Sequence, residues 1–164
     1  MRSLGVARLD PAFLLATFFG AGLLPFAPGT FGSLALLPAA FLVREFAGRA
    51  GLALLCALLF AAGWWASSRI VRKSGEKDPQ EIVIDEAAGQ SLVLLALPQS
   101  LSSFVFAFLF FRFFDIVKPP PARWIERSLG GGLGVMLDDC VAAGYALGAL
   151  FLLFAIGKAG GVLF

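Results

Sequence analysis

The chain has 164 residues, 59% hydrophobic and 15% charged, with 18 phenylalanines and a mean hydropathy of +0.88. Soluble domains carry roughly 25% charged residues, so the composition points to one domain, 1–164, embedded in a bilayer. A formal charge of +2 gives no bulk electrostatic reason to bind nucleic acid, and the absence of histidine removes His nucleophiles, His bases and His-ligated metals.

Residues 12–25 are apolar but shorter than the roughly 20 residues of a simple span. With Arg2 and Arg8 before them, they read as a re-entrant or interfacial helix, or a tilted short span. Interruption by Pro11, Gly20, Gly22 and Pro25 is unlike the usual form of a signal peptide. Pro25 to Ser33 holds two prolines and two glycines and reads as a turn before an apolar segment starting near Leu34. Thr30 or Ser33 is then an N-cap; the same turn, Pro28-Gly29-Thr30 included, also offers backbone N–H groups to an anion.

Segments 34–47 and 50–67 follow, the second with Trp64 and Trp65 near its end, where interfacial aromatics belong. Cys56 and Cys140 lie in apolar runs and read as buried small hydrophobes. The stretch 69–81 is the most hydrophilic, and its Arg69, Arg72, Lys73 and Lys77 favour the cytoplasmic side. Segment 83–97 opens with Asp85-Glu86, an uncharged turn covers 98–103, and segment 104–117 returns carrying Arg112 and Asp115. Those two share a helical face at i, i+3, and Pro119 disfavours helix at Lys118. Loop 118–132 is basic again, with Lys118, Arg123 and Arg127, and ends in glycines. The last run, Val135 to Ile156, repeats the acidic pair as Asp138-Asp139.

The reading is an all-α, small polytopic membrane bundle of about four to six helices, the N-terminal segment included. With both basic loops on one side, Asp85, Glu86, Asp115, Asp138, Asp139 and the glycine turn converge at one depth. Five carboxylates in low dielectric repel one another. Divalent cations would relieve this, and oxygen-only ligands suit Mg²⁺; separate ion pairs with nearby basic residues are the competing explanation. Arg112, Lys118 and Arg123 can balance a phosphorylated headgroup. The chain has no Cys-x5-Arg and no Asp-x-Asp-x-Thr, so metal-assisted attack of water on a phosphomonoester is the phosphatase chemistry left. A CDP-alcohol phosphotransferase would need an Asp-Gly-x-x-Ala-Arg motif that is absent. A small cation transporter or channel lined by the carboxylates is the alternative, although it expects acids near mid-membrane.

Four motifs in order resemble the bacterial phosphatidylglycerophosphatase A family. They are Gly22-Leu23-Leu24-Pro25 through Ala27-Pro28-Gly29-Thr30-Phe31-Gly32-Ser33, then Asp78-Pro79 with Ile84-Asp85-Glu86 and Gly89-Gln90. Phe111 through Pro119 and Gly131 through Asp139 complete the set, and the resemblance covers roughly residues 12–148. It implies Mg²⁺-dependent hydrolysis of phosphatidylglycerophosphate to phosphatidylglycerol and phosphate, by a multi-pass protein of the bacterial inner membrane with its site facing the cytoplasm. On that resemblance Asp85, Glu86, Asp115 and Asp138 are expected to hold metal, with Asp139 a further ligand or a supporting group. One carboxylate, for example Glu86, would activate water instead. Lys118 and Arg123 would receive the phosphate, assisted by Arg112. Thr30, with the backbone from Pro28 and Gly29 to Gly32, would contact phosphate or a glycerol hydroxyl.

Overall fold

The computed structural model describes residue 7 and residues 9–77, 79–120 and 129–159, and among these every regular element is helical. α1 spans Pro11–Ala16. Pro11 suits the first helical position, and the Asp10 carboxylate caps the helix by accepting from the Ala12 amide at 2.9 Å. That bond, with the Arg69 guanidinium 3.0 Å away, holds the Asp10 carboxyl below its usual range. At about 9 Å, α1 cannot cross a bilayer. A 3₁₀ turn, Ala21–Leu23, follows, so 12–25 is not one crossing helix. The segment is tied down instead: the Val83 amide donates to Ala16 O at 2.8 Å.

α2 runs Pro28–Ser74 and breaks at Gly48, whose φ of 65° and ψ of −163° are outside the helical region. Gly32 packs on Val83 and Gly63 on Ile84, while Arg44, between them in sequence, reaches Leu94. The chain therefore leaves one end of the molecule, turns at Gly48 and returns. The start of α2 corrects the sequence reading. Pro25–Ser33 is not all turn, because Pro28 sits at N1, and the N-cap is Ala27 rather than Thr30 or Ser33. Ser33 lies within the helix and donates to Gly29 O at 3.1 Å. At the other end the helix continues through Ser74, so Arg69, Arg72 and Lys73 are helical rather than loop. Basic groups there complement the dipole, and Gly75 closes the helix in a left-handed conformation.

α3, Ile84–Ala96, is the central element, with nine buried residues among its 13. α4, Leu101–Val117, is capped by Ser100, whose hydroxyl accepts from the Ser103 amide. It stops at Lys118, which takes φ 45° and ψ 66° before Pro119. α5, Gly132–Ala159, starts within the run of glycines, where a side chain on Gly132 would strike Ser68. α2 and α5 are each long and apolar enough to cross a membrane.

Two buried clusters hold the bundle together. One joins Leu36, Leu52, Leu94, Phe111 and Leu150; the other joins Phe13, Ile70, Ile84 and Met136. Leu54, Leu58, Leu152 and Ile156 face outward, an apolar exterior that suits a hydrocarbon solvent.

Candidate active site

The first turn of α3 brings Asp85 and Glu86 to the positive end of its dipole. α4 contributes Arg112, Asp115 and, at its C-cap, Lys118; α5 contributes Asp138 and Asp139; α2 contributes Pro28, Gly29 and Thr30. All ten line one cleft of about 440 Å³. Arg123 falls outside the described residues, as does Asp78.

The five carboxylates divide into two groups. Asp115 is paired with Arg112 at 2.5 Å and Asp138 with Lys118 at 2.7 Å. Asp85, Glu86 and Asp139 each offer an oxygen to a group whose atoms lie within 4.8 Å of one another. Glu86 Oε2 and Asp139 Oδ2 are buried without a hydrogen-bond partner among the described residues. Buried, unpartnered carboxylate oxygens are costly, and the donor set is oxygen only, so these residues fit a hard divalent cation. The sequence ranks Asp115 and Asp138 with Asp85 and Glu86 as ligands and makes Asp139 a further ligand or supporting group; in the folded protein Asp115 and Asp138 each have a close cationic neighbour, and Asp139 groups with Asp85 and Glu86.

Arg112 joins the two groups. Besides Asp115, it lies 3.8 Å from Glu86 Oε1 and donates to Ser33 Oγ at 3.4 Å. Gly29 is required beside it, since a Cβ there would lie 1.9 Å from Glu86 Oε1. Tyr145 fixes the segment after α4. Its ring stacks on Phe114 with centroids 5.7 Å apart, and its phenol donates to the Pro120 carbonyl.

Gln80 and Phe26 also line the cleft, and no sequence signal singles them out; Ile116, a further lining residue, falls within the Phe111–Pro119 motif but carries no role there. Ser33 was legible only as a possible cap, although it stood within the glycine motif.

Fold and cleft define a helical protein, apolar enough for a membrane, that offers oxygen ligands to a cation and basic groups to an anion. Comparison with known proteins narrows this. The family model for phosphatidylglycerophosphatase A matches residues 14–154. A Haemophilus influenzae protein named phosphatidylglycerophosphatase A is 39% identical over 147 residues, covering 89% of this chain and 90% of that protein. The Escherichia coli protein of the same name is 38% identical over 145 residues, covering 88% and 84%. A Bacteroides thetaiotaomicron relative, 39% identical over 158 residues and covering 90% and 96%, is named provisionally as a phosphatidylinositol-3-phosphatase. No solved structure matches the chain. The chain belongs to the phosphatidylglycerophosphatase A family, and its activity class is that of a phosphatase.

Proposed function

We propose that the protein hydrolyses phosphatidylglycerophosphate to phosphatidylglycerol and phosphate in a Mg²⁺-dependent reaction at the bacterial inner membrane. The observation that carries this reading is the cluster of Asp85, Glu86 and Asp139 oxygens beside Arg112 and Lys118, in a chain of this family. These three carboxylates would hold Mg²⁺, with Asp115 and Asp138 completing the acidic surround. The ion, when bound, would polarise a phosphoryl oxygen and ease deprotonation of an attacking water.

The chain's own groups have separate tasks. Lys118 and Arg112 carry the charge that complements a phosphate dianion, with Arg123 joining them. The amides of Gly29 and Thr30 belong to the first turn of α2, where helical donors lack internal partners, and they favour an anion. A carboxylate not engaged with the ion, for example Glu86 in place of its ligand role, would accept a proton from water. Asp115 holds the guanidinium of Arg112 in place.

The membrane reading is a multi-pass bundle in which the two arms of α2, α4 and α5 surround α3. The cleft faces the cytoplasm, where Arg69, Arg72, Lys73 and Lys118 gather at its end of the bundle. The cation-channel alternative gains no support from the family matches. The test is phosphate release by the detergent-purified protein from phosphatidylglycerophosphate, beside phosphatidic acid, with Mg²⁺ or with chelator. Release that prefers the first lipid and is lost on chelation is expected. No release from a folded, Mg²⁺-supplied sample would sink the proposal.

A further inference from the structure

A second concavity, of about 390 Å³, lies between the first arm of α2 and α4. Leu34, Leu37 and Phe41 form one wall. Phe104, Val105 and Phe108 belong to the other, and Phe41 meets Phe104 edge-on with centroids 5.9 Å apart. Among the described residues the groove's one polar side chain is Ser100, at its far end, whose hydroxyl is already bonded to Ser103.

The groove begins where the acidic cleft stops. Leu34 lies one turn beyond Thr30 on α2, and Leu109 lies three residues before Arg112 on α4; helical residues at these spacings share a face. Thr30 and Arg112 line the cleft, whereas Leu34 and Leu109 line the groove. The Arg112–Ser33 hydrogen bond marks the level at which the two helices flank the boundary. From Arg112 to Leu101 the helix runs about 16 Å, directed away from the charged groups. Apart from Ser100 at its far end, no described side chain of the groove offers a peptide backbone a hydrogen bond, and burying unpaired amides there would be unfavourable.

We propose that this groove binds an acyl chain of the lipid whose phosphorylated headgroup occupies the cleft. The inference rests on the lipid-phosphatase reading above. It makes substrate recognition two-part: charged groups take the phosphate, and α2 with α4 takes one hydrocarbon tail.

The test uses full-length protein with Mg²⁺ and two substrates, dihexanoyl and dioleoyl phosphatidylglycerophosphate. Wild type is compared with Val105→Trp and Leu109→Trp, which put an indole into the groove. The expected result is a fall of about tenfold in kcat/KM for the dioleoyl lipid, with the dihexanoyl value within about twofold of wild type. Equal falls on both lipids in variants that melt like wild type, or no change on either, would overturn the groove and leave the phosphatase reading standing. A wild type that releases no phosphate from either lipid would instead defeat the phosphatase reading. Photolabelling decides the groove in that case, or if neither variant folds. The probe is phosphatidylglycerophosphate with a diazirine at one chain end. Labelling concentrated on 34–41 and 101–109, and displaced by unlabelled lipid, supports the groove. Even labelling over the outer faces of α2, α4 and α5, unaffected by competitor, overturns it.

Discussion

Arg44 and Arg112 are both largely buried, and they stand at opposite ends of α3. Arg44 donates to the Leu94 carbonyl at 2.6 Å. That oxygen belongs to the last turn of α3, where the dipole is negative, and its backbone bond from the Leu97 amide is long, at 3.4 Å. One cation thus satisfies one helix end. Nearby, Gln99 donates to Glu45 at 3.0 Å, so that end of the bundle is closed by its own side chains. Arg112 lies at the other end, with acceptors on three side chains. It meets Asp115, Glu86 and Ser33, while Glu86 Oε2 and Asp139 Oδ2 keep no hydrogen-bond partner among the described residues. The same residue type, largely withdrawn from solvent at both ends, therefore marks architecture at one end and unsatisfied capacity for a ligand at the other.

Mutations should separate the two ends. Glu86→Gln or Asp139→Asn should lower kcat/KM for phosphatidylglycerophosphate by about a thousandfold, about 4 kcal/mol of transition-state stabilisation. Melting temperature should hold or rise, because a buried charge is removed. Wild-type turnover in either variant would break the contrast. Arg112→Lys should cost about a hundredfold in kcat/KM, since an ammonium cannot reproduce the guanidinium's fork across two carboxylates; full activity would reduce Arg112 to a simple counter-ion. Gly29→Ala should lower kcat about tenfold by displacing Glu86, as a 1.9 Å approach requires movement. The matched Glu86→Asp, Gly29→Ala double variant should lose less than the product of the single losses. Arg44→Met should leave kcat within about twofold while lowering stability by about 1–2 kcal/mol, through loss of a charge-assisted hydrogen bond that leaves the Leu94 carbonyl only its long bond from the Leu97 amide. Thermal melting in detergent beside the phosphate assay reads both quantities.

The sequence carried the site further than it carried the fold. Acidic pairs at the starts of apolar runs, each following basic residues, were enough to bring Asp85, Glu86, Asp138 and Asp139 to one level. The break near Gly48 was visible as a gap between two apolar segments. The start of α2 was misread because Pro28 and Gly29 look like turn residues, although proline is well suited to a first helical position. The Arg112–Asp115 pair was legible, because i and i+3 on one helix share a face. The pairing between elements was not: that Lys118 meets Asp138, and that Arg112 also approaches Glu86, depends on the relative rotation of α3, α4 and α5, which side-chain spacing along one helix does not set. The clash that reserves position 29 for glycine is likewise a contact between elements, invisible along the chain.

Lys118 holds a left-handed backbone conformation that is uncommon outside glycine. Its amide is bonded to Phe114 O at 2.8 Å, and Pro119 follows immediately. The main chain at this residue is therefore set during folding, at a cost of about 1–2 kcal/mol. On the proposed reading, its ammonium passes from Asp138 to an arriving phosphate by rotation about side-chain bonds alone. Delivery of this charge therefore waits on release of the Asp138 ion pair and not on rearrangement of the backbone at position 118.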